Sequence, residues 1–152
     1  MVTPLQPHLP NLGKRLVRSL KVYLSDTGIV TALLEIQTRN QLMGHPAYDS
    51  LWETLVFSQM RGHFPRIGFS FYRSAQGAEL DFILEYAGER IAIECKATLA
   101  PVLTRGNHQA IQDVQPGETL IVSPVEKGWL SSRGIRVVNP RELIDVLKTV
   151  FI

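Results

Sequence analysis

The sequence ELDFILEYAGERIAIECKA, residues 79–97, alternates apolar and polar residues in the manner typical of two β-strands joined by a tight turn. Ala87 and Gly88 interrupt the alternation and mark the turn. Folding the stretch there brings apolar residues together in three opposing pairs: Leu84 with Ile91, Phe82 with Ile93, and Leu80 with Cys95. A slip of one residue would move charged side chains onto the apolar face, so the register of the predicted hairpin is well specified.

The other face of this hairpin places Asp81 opposite Glu94 and Glu79 opposite Lys96. Two carboxylates side by side repel each other unless a positive charge neutralises them. Mg²⁺ would do so, because it prefers oxygen ligands and keeps much of its water. Lys96 could then orient a water and stabilise negative charge on a phosphate. A solvated charged face with a simple Asp–Lys bridge explains the same residues equally well, and at this point both interpretations stay open.

The segments on either side of the hairpin predict a mixed α/β sheet. Before it, Ser50 and Glu53 have the spacing of a helix capping box, and Gly62 ends the apolar periodicity. After it, Thr104 can cap a helix to about residue 115, and the strand that returns from this crossover favours parallel pairing. The other predicted elements are strands at 21–24, 69–73, 119–123 and 135–138, a helix at 28–36, a loop at 37–48 and a last helix after Asn139.

The chain of 152 residues, 45% of them hydrophobic and 20% charged, has the composition of one globular domain with its own core. Residues 1–12 contain Pro4, Pro7 and Pro10 and lack apolar periodicity. We therefore expect them to form an extended N-terminal arm that packs poorly on its own domain, with residues 13–152 as a single domain.

Composition also excludes several classes of protein. Cys95 is the single cysteine, which rules out an internal disulfide or a multi-cysteine zinc site and fits a reducing compartment. The chain has no G-x-x-x-x-G-K-[ST] motif, so it is not itself a P-loop ATPase. No apolar run approaches the ~18 residues of a membrane span, and the N-terminus lacks the apolar core of a signal peptide. We expect a cytoplasmic protein without a membrane partner. The net charge is +2 and the first half is the more basic, which could serve phosphate binding or be an ordinary solvated surface.

Asp81, followed after twelve residues by Ile93-Glu94-Cys95-Lys96, resembles the D…E-x-K core of the PD-(D/E)xK nuclease superfamily, which has the restriction-endonuclease-like fold. The predicted order of helix, three strands, helix and strand matches that fold. The resemblance implies that Asp81 and Glu94 are metal ligands, that Lys96 is the catalytic lysine, and that Glu53 is the helix carboxylate that some members add. Leu80 stands where the superfamily name has proline, at a position that varies widely among its members.

Several further segments are similar to a narrower family. They are GKRLV at 13–17, KVYLSDTG at 21–28, WETLV at 52–56, FYR at 71–73 and GAELDF at 77–82. In this order they resemble the domain of unknown function at the C-terminus of many prokaryotic AAA-type P-loop ATPases, and the likeness covers roughly residues 9–150. It implies a P-loop ATPase domain as a partner in related full-length chains.

The leading expectation is a Mg²⁺-dependent nuclease, with Mn²⁺ as a substitute, in which water attacks a nucleic-acid phosphodiester. The alternative is a catalytically inactive nuclease-fold module that serves as a binding or assembly appendage of an ATPase. The choice between DNA and RNA, the cleavage mode and the formation of a homo-oligomer stay open. For individual side chains, we expect Glu53 to complete the capping box with Ser50, Glu79 to bridge to Lys96, and Arg73 to neutralise the acidic cluster.

Overall fold

Eight strands form one mixed sheet in the computed structural model, which describes residues 2–10, 13 and 15–152. The strands are β1 Val2–Pro7, β2 Lys21–Leu24, β3 Gly68–Arg73, β4 Glu79–Tyr86, β5 Glu89–Cys95, β6 Glu118–Val122, β7 Trp129–Leu130 and β8 Arg136–Val138. The helices of these residues are α1 Thr27–Leu33, α2 Arg39–Met43, α3 Tyr48–His63, α4 Arg105–Val114 and α5 Pro140–Phe151. The order across the sheet is β2-β1-β3-β4-β5-β6-β8-β7, so the predicted mixed α/β architecture is confirmed.

The central hairpin has the register that the sequence predicts. Strands β4 and β5 are antiparallel, with Phe82 opposite Ile93 and Leu84 opposite Ile91. The turn uses positive φ at both central residues, 51° at Ala87 and 90° at Gly88, which matches the right-handed twist of the flanking strands. Beyond the hairpin, β6 returns through α4 and pairs parallel to β5, as a crossover connection favours.

A β-bulge near the start of β4 changes one part of the predicted register. Ser70 pairs with Ile83, whereas Tyr72 pairs with Leu80, so β4 has one more residue than β3 over this interval. The extra residue turns Leu80 onto the same side as Ile83 instead of the side of Phe82. The predicted apolar pair of Leu80 with Cys95 is therefore wrong.

Helices cover both faces of the sheet. The larger apolar cluster joins α3 and α5 to one face, with residues such as Val56, Met60, Leu143 and Leu147 packed against Phe82, Leu84, Ile91 and Ile93. The smaller cluster joins α4 to the other face, where Ala110 and Val114 pack with Tyr72, Ile83 and Ala92. This three-layer arrangement holds the C-terminal end of β5 between α3 and α4.

The N-terminal segment does not behave as the expected loose arm. Residues 2–7 form β1, which is antiparallel to β2 and parallel to β3. Leu5 is only 3% exposed and belongs to the larger core cluster. The expectation of poor packing is thus wrong for this strand, because extended backbone tolerates proline and the alternation still buries Leu5. Three residues of the predicted arm lie outside the described residues: Met1, Asn11 and Leu12.

Helix boundaries follow the capping signals in some places and not in others. Thr104 with Asn107, and Asn139 with Glu142, form reciprocal capping boxes at the starts of α4 and α5, as the sequence predicts for Thr104 and Asn139. The loop predicted at 37–48 is wrong in part, because Thr38 caps α2 within it. In the part of the chain that the structure describes, no helix has the length and apolar character needed to cross a membrane.

Candidate functional site

Four carboxylates and three cationic side chains meet where β2, β4 and β5 approach the side of α3. The acids come from β4, β5 and α3, and the cations come from β2, β3 and the residue after β5. The acids are Glu53, Glu79, Asp81 and Glu94, and the cations are Lys21, Arg73 and Lys96. With all seven groups ionised, the cluster has one negative charge in excess.

Asp81 and Glu94 are buried beside each other, with exposures of 8% and 5%. The backbone N–H of Asp81 donates a hydrogen bond to Oε2 of Glu94 at 3.3 Å. The backbone N–H of Cys95 donates to Oδ2 of Asp81 at 2.9 Å. Each strand therefore binds the carboxylate of its neighbour, which brings together two residues that the sequence motif singled out.

Lys21 occupies the centre of three carboxylates. Its Nζ lies 3.0 Å from Oε1 of Glu53, 3.3 Å from Oδ1 of Asp81 and 3.4 Å from Oε1 of Glu79. The hydroxyl of Tyr23, two residues along β2, donates to the same oxygen of Glu53. Sequence reasoning did not assign either residue to the site. The available signal was their spacing of two in the predicted strand KVYL, which puts two polar side-chain ends on one face.

Lys96 has a different partner from the one predicted. Its Nζ lies 2.8 Å from Oε1 of Glu94, whereas Glu79 binds Lys21 and Arg73. The predicted Glu79–Lys96 bridge is wrong because β5 ends at Cys95 and the bulge in β4 shifts the register before Phe82. Arg73 does neutralise one acid of the cluster, through a 3.1 Å hydrogen bond from its Nε to Oε1 of Glu79.

Glu53 faces this cluster instead of capping its own helix. Helix α3 begins at Tyr48, and its N-cap Ala47, three residues before the predicted cap Ser50, makes no side-chain hydrogen bond. Glu53 therefore lies beyond the first turn, where its carboxylate cannot reach an unpaired N–H of the helix end. The predicted capping box with Ser50 is wrong, and the side chain of Glu53 is available to Lys21 and Tyr23.

The electrostatics of the site remain unfavourable for its two central acids. Burial raises the pKa of Asp81 from its ordinary 3.8 to about 8, with further contributions from the charges of Glu94 and Glu53. Burial also raises the pKa of Glu94, and Lys96 opposes that shift. Burial alone would raise the pKa of Glu79 as well, but Arg73 and Lys21 reverse the effect and lower it. The cations therefore neutralise the carboxylate of Glu79 better than those of Asp81 and Glu94.

Asn107 on α4 is a third residue that the sequence did not assign to the site. Its Nδ2 donates to the carbonyl oxygen of Glu79 at 2.9 Å, and its side chain also hydrogen-bonds Glu94. Gln109, on the same helix, donates from its Nε2 to Oδ1 of Asp113 at 3.0 Å. Cys95 is a free thiol packed against the larger core cluster, and it contributes its backbone N–H rather than its sulfur.

The donors in this cluster suit a hard cation with few protein ligands. All of them are carboxylate oxygens, and an oxygen that accepts one hydrogen bond keeps a second lone pair. Mg²⁺ is commonly held by one or two carboxylates together with water and substrate phosphates. Among the described residues, no group of three or more His, Cys, Asp or Glu side chains is placed to hold a metal ion. Asp81 and Glu94 are therefore the two side chains that could hold such a cation, with water completing its coordination.

Comparison with known proteins gives a family. Residues 48–142 match the model described as "Domain of unknown function (DUF4143)", a range that includes Glu53, Asp81, Glu94 and Lys96. Two proteins described as uncharacterized, from Mycobacterium tuberculosis and Mycobacterium bovis, are each 35% identical to this chain over 126 residues. The similarity covers 83% of this chain but 29% of each relative, so the chain spans less than a third of their length. The chain belongs to the DUF4143 family.

Proposed function

We propose that this domain is a Mg²⁺-dependent nuclease that hydrolyses phosphodiester bonds of nucleic acid. The observation that carries the proposal is the buried pair of Asp81 and Glu94, whose pKa values stay raised although lysines contact both. Such a pair destabilises the fold unless a further positive charge binds there. Strongly shifted acids beside a cleft are typical of functional sites.

The chemistry follows from the positions of the side chains. Asp81 and Glu94 would hold the cation, which supplies charge neutralisation and polarises oxygen ligands. Lys96, at 2.8 Å from Glu94 and only partly buried, orients the attacking water and stabilises negative charge on the phosphate. The water oxygen forms a bond to phosphorus as the bond to the leaving sugar oxygen breaks. The proton of the water passes to solvent or a carboxylate, and the leaving oxygen is protonated from solvent.

The topology supports a restriction-endonuclease-like fold for this domain. Helix α3, the antiparallel strands β3–β5, the crossover α4 and the parallel strand β6 follow in the order of that fold's core. This similarity of order is an analogy, and function depends on the site. DUF4143 domains are often found with AAA ATPases, and we propose a cytoplasmic P-loop ATPase as the partner of this domain.

A specific observation favours a second candidate, a catalytically inactive module that acts as a binding or assembly appendage of the ATPase. Lys21 already supplies a positive charge to Glu53, Glu79 and Asp81. If this lysine is the permanent counter-charge of the acids, the cluster is structural and needs no metal.

The test is hydrolysis of plasmid DNA, single-stranded DNA and RNA by the purified protein with Mg²⁺ or Mn²⁺. We expect cleavage by the native chain and its loss in Glu94→Gln and Lys96→Gln. Glu35→Gln is the matched control, because Glu35 is exposed and takes no part in the ion pairs of the cluster. Cleavage that persists in Glu94→Gln would identify a contaminant, and complete inactivity of the native protein with both metals would favour the appendage.

A further inference from the structure

A cleft of about 730 Å³ opens beside the carboxylate cluster. One wall is the loop that precedes β4, and the other is the first turn of α4. Its volume lies in the range of pockets that hold small ligands or part of a polymer. The lining side chains that matter for charge and hydrogen bonding are Arg15, Gln76, Arg105 and Gln109.

The cleft has the opposite electrostatic character to the neighbouring cluster. Among the described residues that line it, two carry guanidinium groups and none carries a carboxylate. Arg15 and Arg105 are both exposed, and neither forms an ion pair within the described ranges of the chain. Two unpaired guanidinium groups in one concave surface favour an anionic ligand, and phosphate, like carboxylate, has oxygens that match their paired donors.

The cleft and the carboxylate cluster share a wall. Ala78 lines the cleft, and Glu79 follows it directly in the chain. From the other side, Asn107 follows Gly106 of the cleft and hydrogen-bonds both the carbonyl oxygen of Glu79 and the carboxylate of Glu94. The wall that contains Ala78 and Gly106 therefore lies directly beside the residues that carry the carboxylate cluster.

We propose that Arg15 and Arg105 bind the phosphodiester backbone of the strand whose scissile phosphate lies at Asp81 and Glu94. The identification of this anion as nucleic acid rests on the proposed function. Phosphate contacts of this kind position the strand and do not select its sequence. The cleft therefore sets the register between the bound backbone and the reacting centre.

The experiment measures binding of fluorescently labelled single-stranded DNA by anisotropy, in EDTA so that no cleavage occurs, over a range of salt concentrations. The double variant Arg15→Gln/Arg105→Gln is compared with Arg66→Gln/Arg141→Gln, which removes the same charge from exposed arginines outside the cleft. We expect the cleft variant to lose about tenfold or more in affinity at low salt. Its slope of log K against log salt should fall by about 1.4, the contribution of two phosphate contacts to a single strand. The control pair should change affinity by about twofold, as expected for a screened charge at a distance.

Each outcome separates the cleft from the catalytic site. The proposed role of the cleft would be overturned if the native protein did not bind DNA, or if the two double variants lost affinity equally. Cleft-dependent binding without hydrolysis in Mg²⁺ would retain the cleft and reject the nuclease. If the cleft variant still hydrolyses DNA with an unchanged KM, the nuclease proposal is retained and the role of the cleft is rejected. Thermal melting of each variant is measured first. If the double variant has a lowered melting temperature, the single variants Arg15→Gln and Arg105→Gln replace it. Each single variant should show about half the change in the salt slope.

Discussion

The backbone N–H of Cys95 donates to Oδ2 of Asp81, so that a carboxylate on β4 is held by the last residue of β5. The bond lies next to the bulge in β4, where the side-chain alternation of a regular strand no longer fixes the direction of Asp81. Its other oxygen, Oδ1, is then left for Lys21. The orientation of the central acid therefore depends on a long-range contact and not on its own strand alone.

Replacement of Asp81 by Asn should weaken the dependence of stability on pH. A carboxyl whose pKa is raised by folding keeps its proton longer in the native state than in the unfolded chain. The contribution of Asp81 to the free energy of unfolding is then fully present below about pH 4. It is lost as the pH rises towards 8, because the carboxyl ionises more easily in the unfolded chain. We expect the native protein to lose more stability between pH 5 and pH 8 than Asp81→Asn does. At pH 8 the variant should be as stable as the native chain or more stable by up to ~1 kcal/mol, the scale of an opposed like-charge pair.

Urea unfolding at the two pH values provides this measurement. Glu94→Gln is the companion variant, since the pKa of Glu94 is raised in the same direction. Identical pH slopes in the native protein and in both variants would show that neither carboxyl titrates abnormally.

Replacement of Lys21 by Met should destabilise the domain strongly. The lysine side chain is 14% exposed and is shared by three carboxylates, so its removal takes the cationic partner from buried Asp81 and weakens the pairing of Glu53 and Glu79. Breaking a buried ion pair in this way costs ~3–5 kcal/mol. The control is Arg73→Met, which removes a more exposed cation from Glu79 and should cost ~1 kcal/mol or less.

Chemical denaturation of Lys21→Met, Asp81→Asn and the double variant measures the coupling between them. We expect Asp81→Asn to recover part of the loss caused by Lys21→Met. Simple additivity of the two changes would mean that Lys21 does not act through the charge of Asp81.

Addition of Mg²⁺ should raise the melting temperature of the native protein. A ligand that binds the folded state alone stabilises it by RT ln(1 + [L]/Kd), so the shift should grow with the metal concentration. The shift should disappear in Asp81→Asn and persist in Glu35→Gln, because Glu35 takes no part in the ion pairs of the cluster. A native protein that shows no shift with Mg²⁺ or Mn²⁺, together with an Asp81→Asn variant of clearly lower stability, would support the structural candidate.

Leu5→Ala should destabilise the protein by ~2–5 kcal/mol, as expected for a leucine that is buried in a packed core. Leu5 is 3% exposed, although it lies in a segment rich in proline. Leu9→Ala is the matched control, since Leu9 is 52% exposed and its truncation removes little buried surface. Equal melting temperatures for Leu5→Ala and the native chain would show that β1 does not contribute to the core in solution.

The parts of the structure that the sequence predicts well are those set by nearby residues. The hairpin register between Phe82 and Ile93 follows from alternation, and the start of α5 follows from Asn139, Pro140 and Glu142 within one turn. The bulge at Leu80 depends on how β3 pairs with β4, which alternation within one strand does not reveal.

The site shows the same division between local and distant determinants. Asp81 and Glu94 were identifiable because they share a hairpin. Lys21 was not, since its partners Glu53 and Asp81 lie 32 and 60 residues away in the chain. The prolines of the first segment suggested a loose arm, but the burial of Leu5 against distant residues outweighs that local signal.

The position of Lys21 on β2 has a dynamic consequence. Strand β2 lies at the edge of the sheet and is joined to it through β1, whereas Asp81 and Glu94 lie on strands paired on both sides. Edge elements open more readily than central ones, and such local opening needs far less free energy than global unfolding. Fraying of β2 would withdraw the ammonium group while the hairpin stays intact. The acids would then be exposed to solvent with one counter-charge fewer, and access of an external cation to them would be gated by the edge of the sheet.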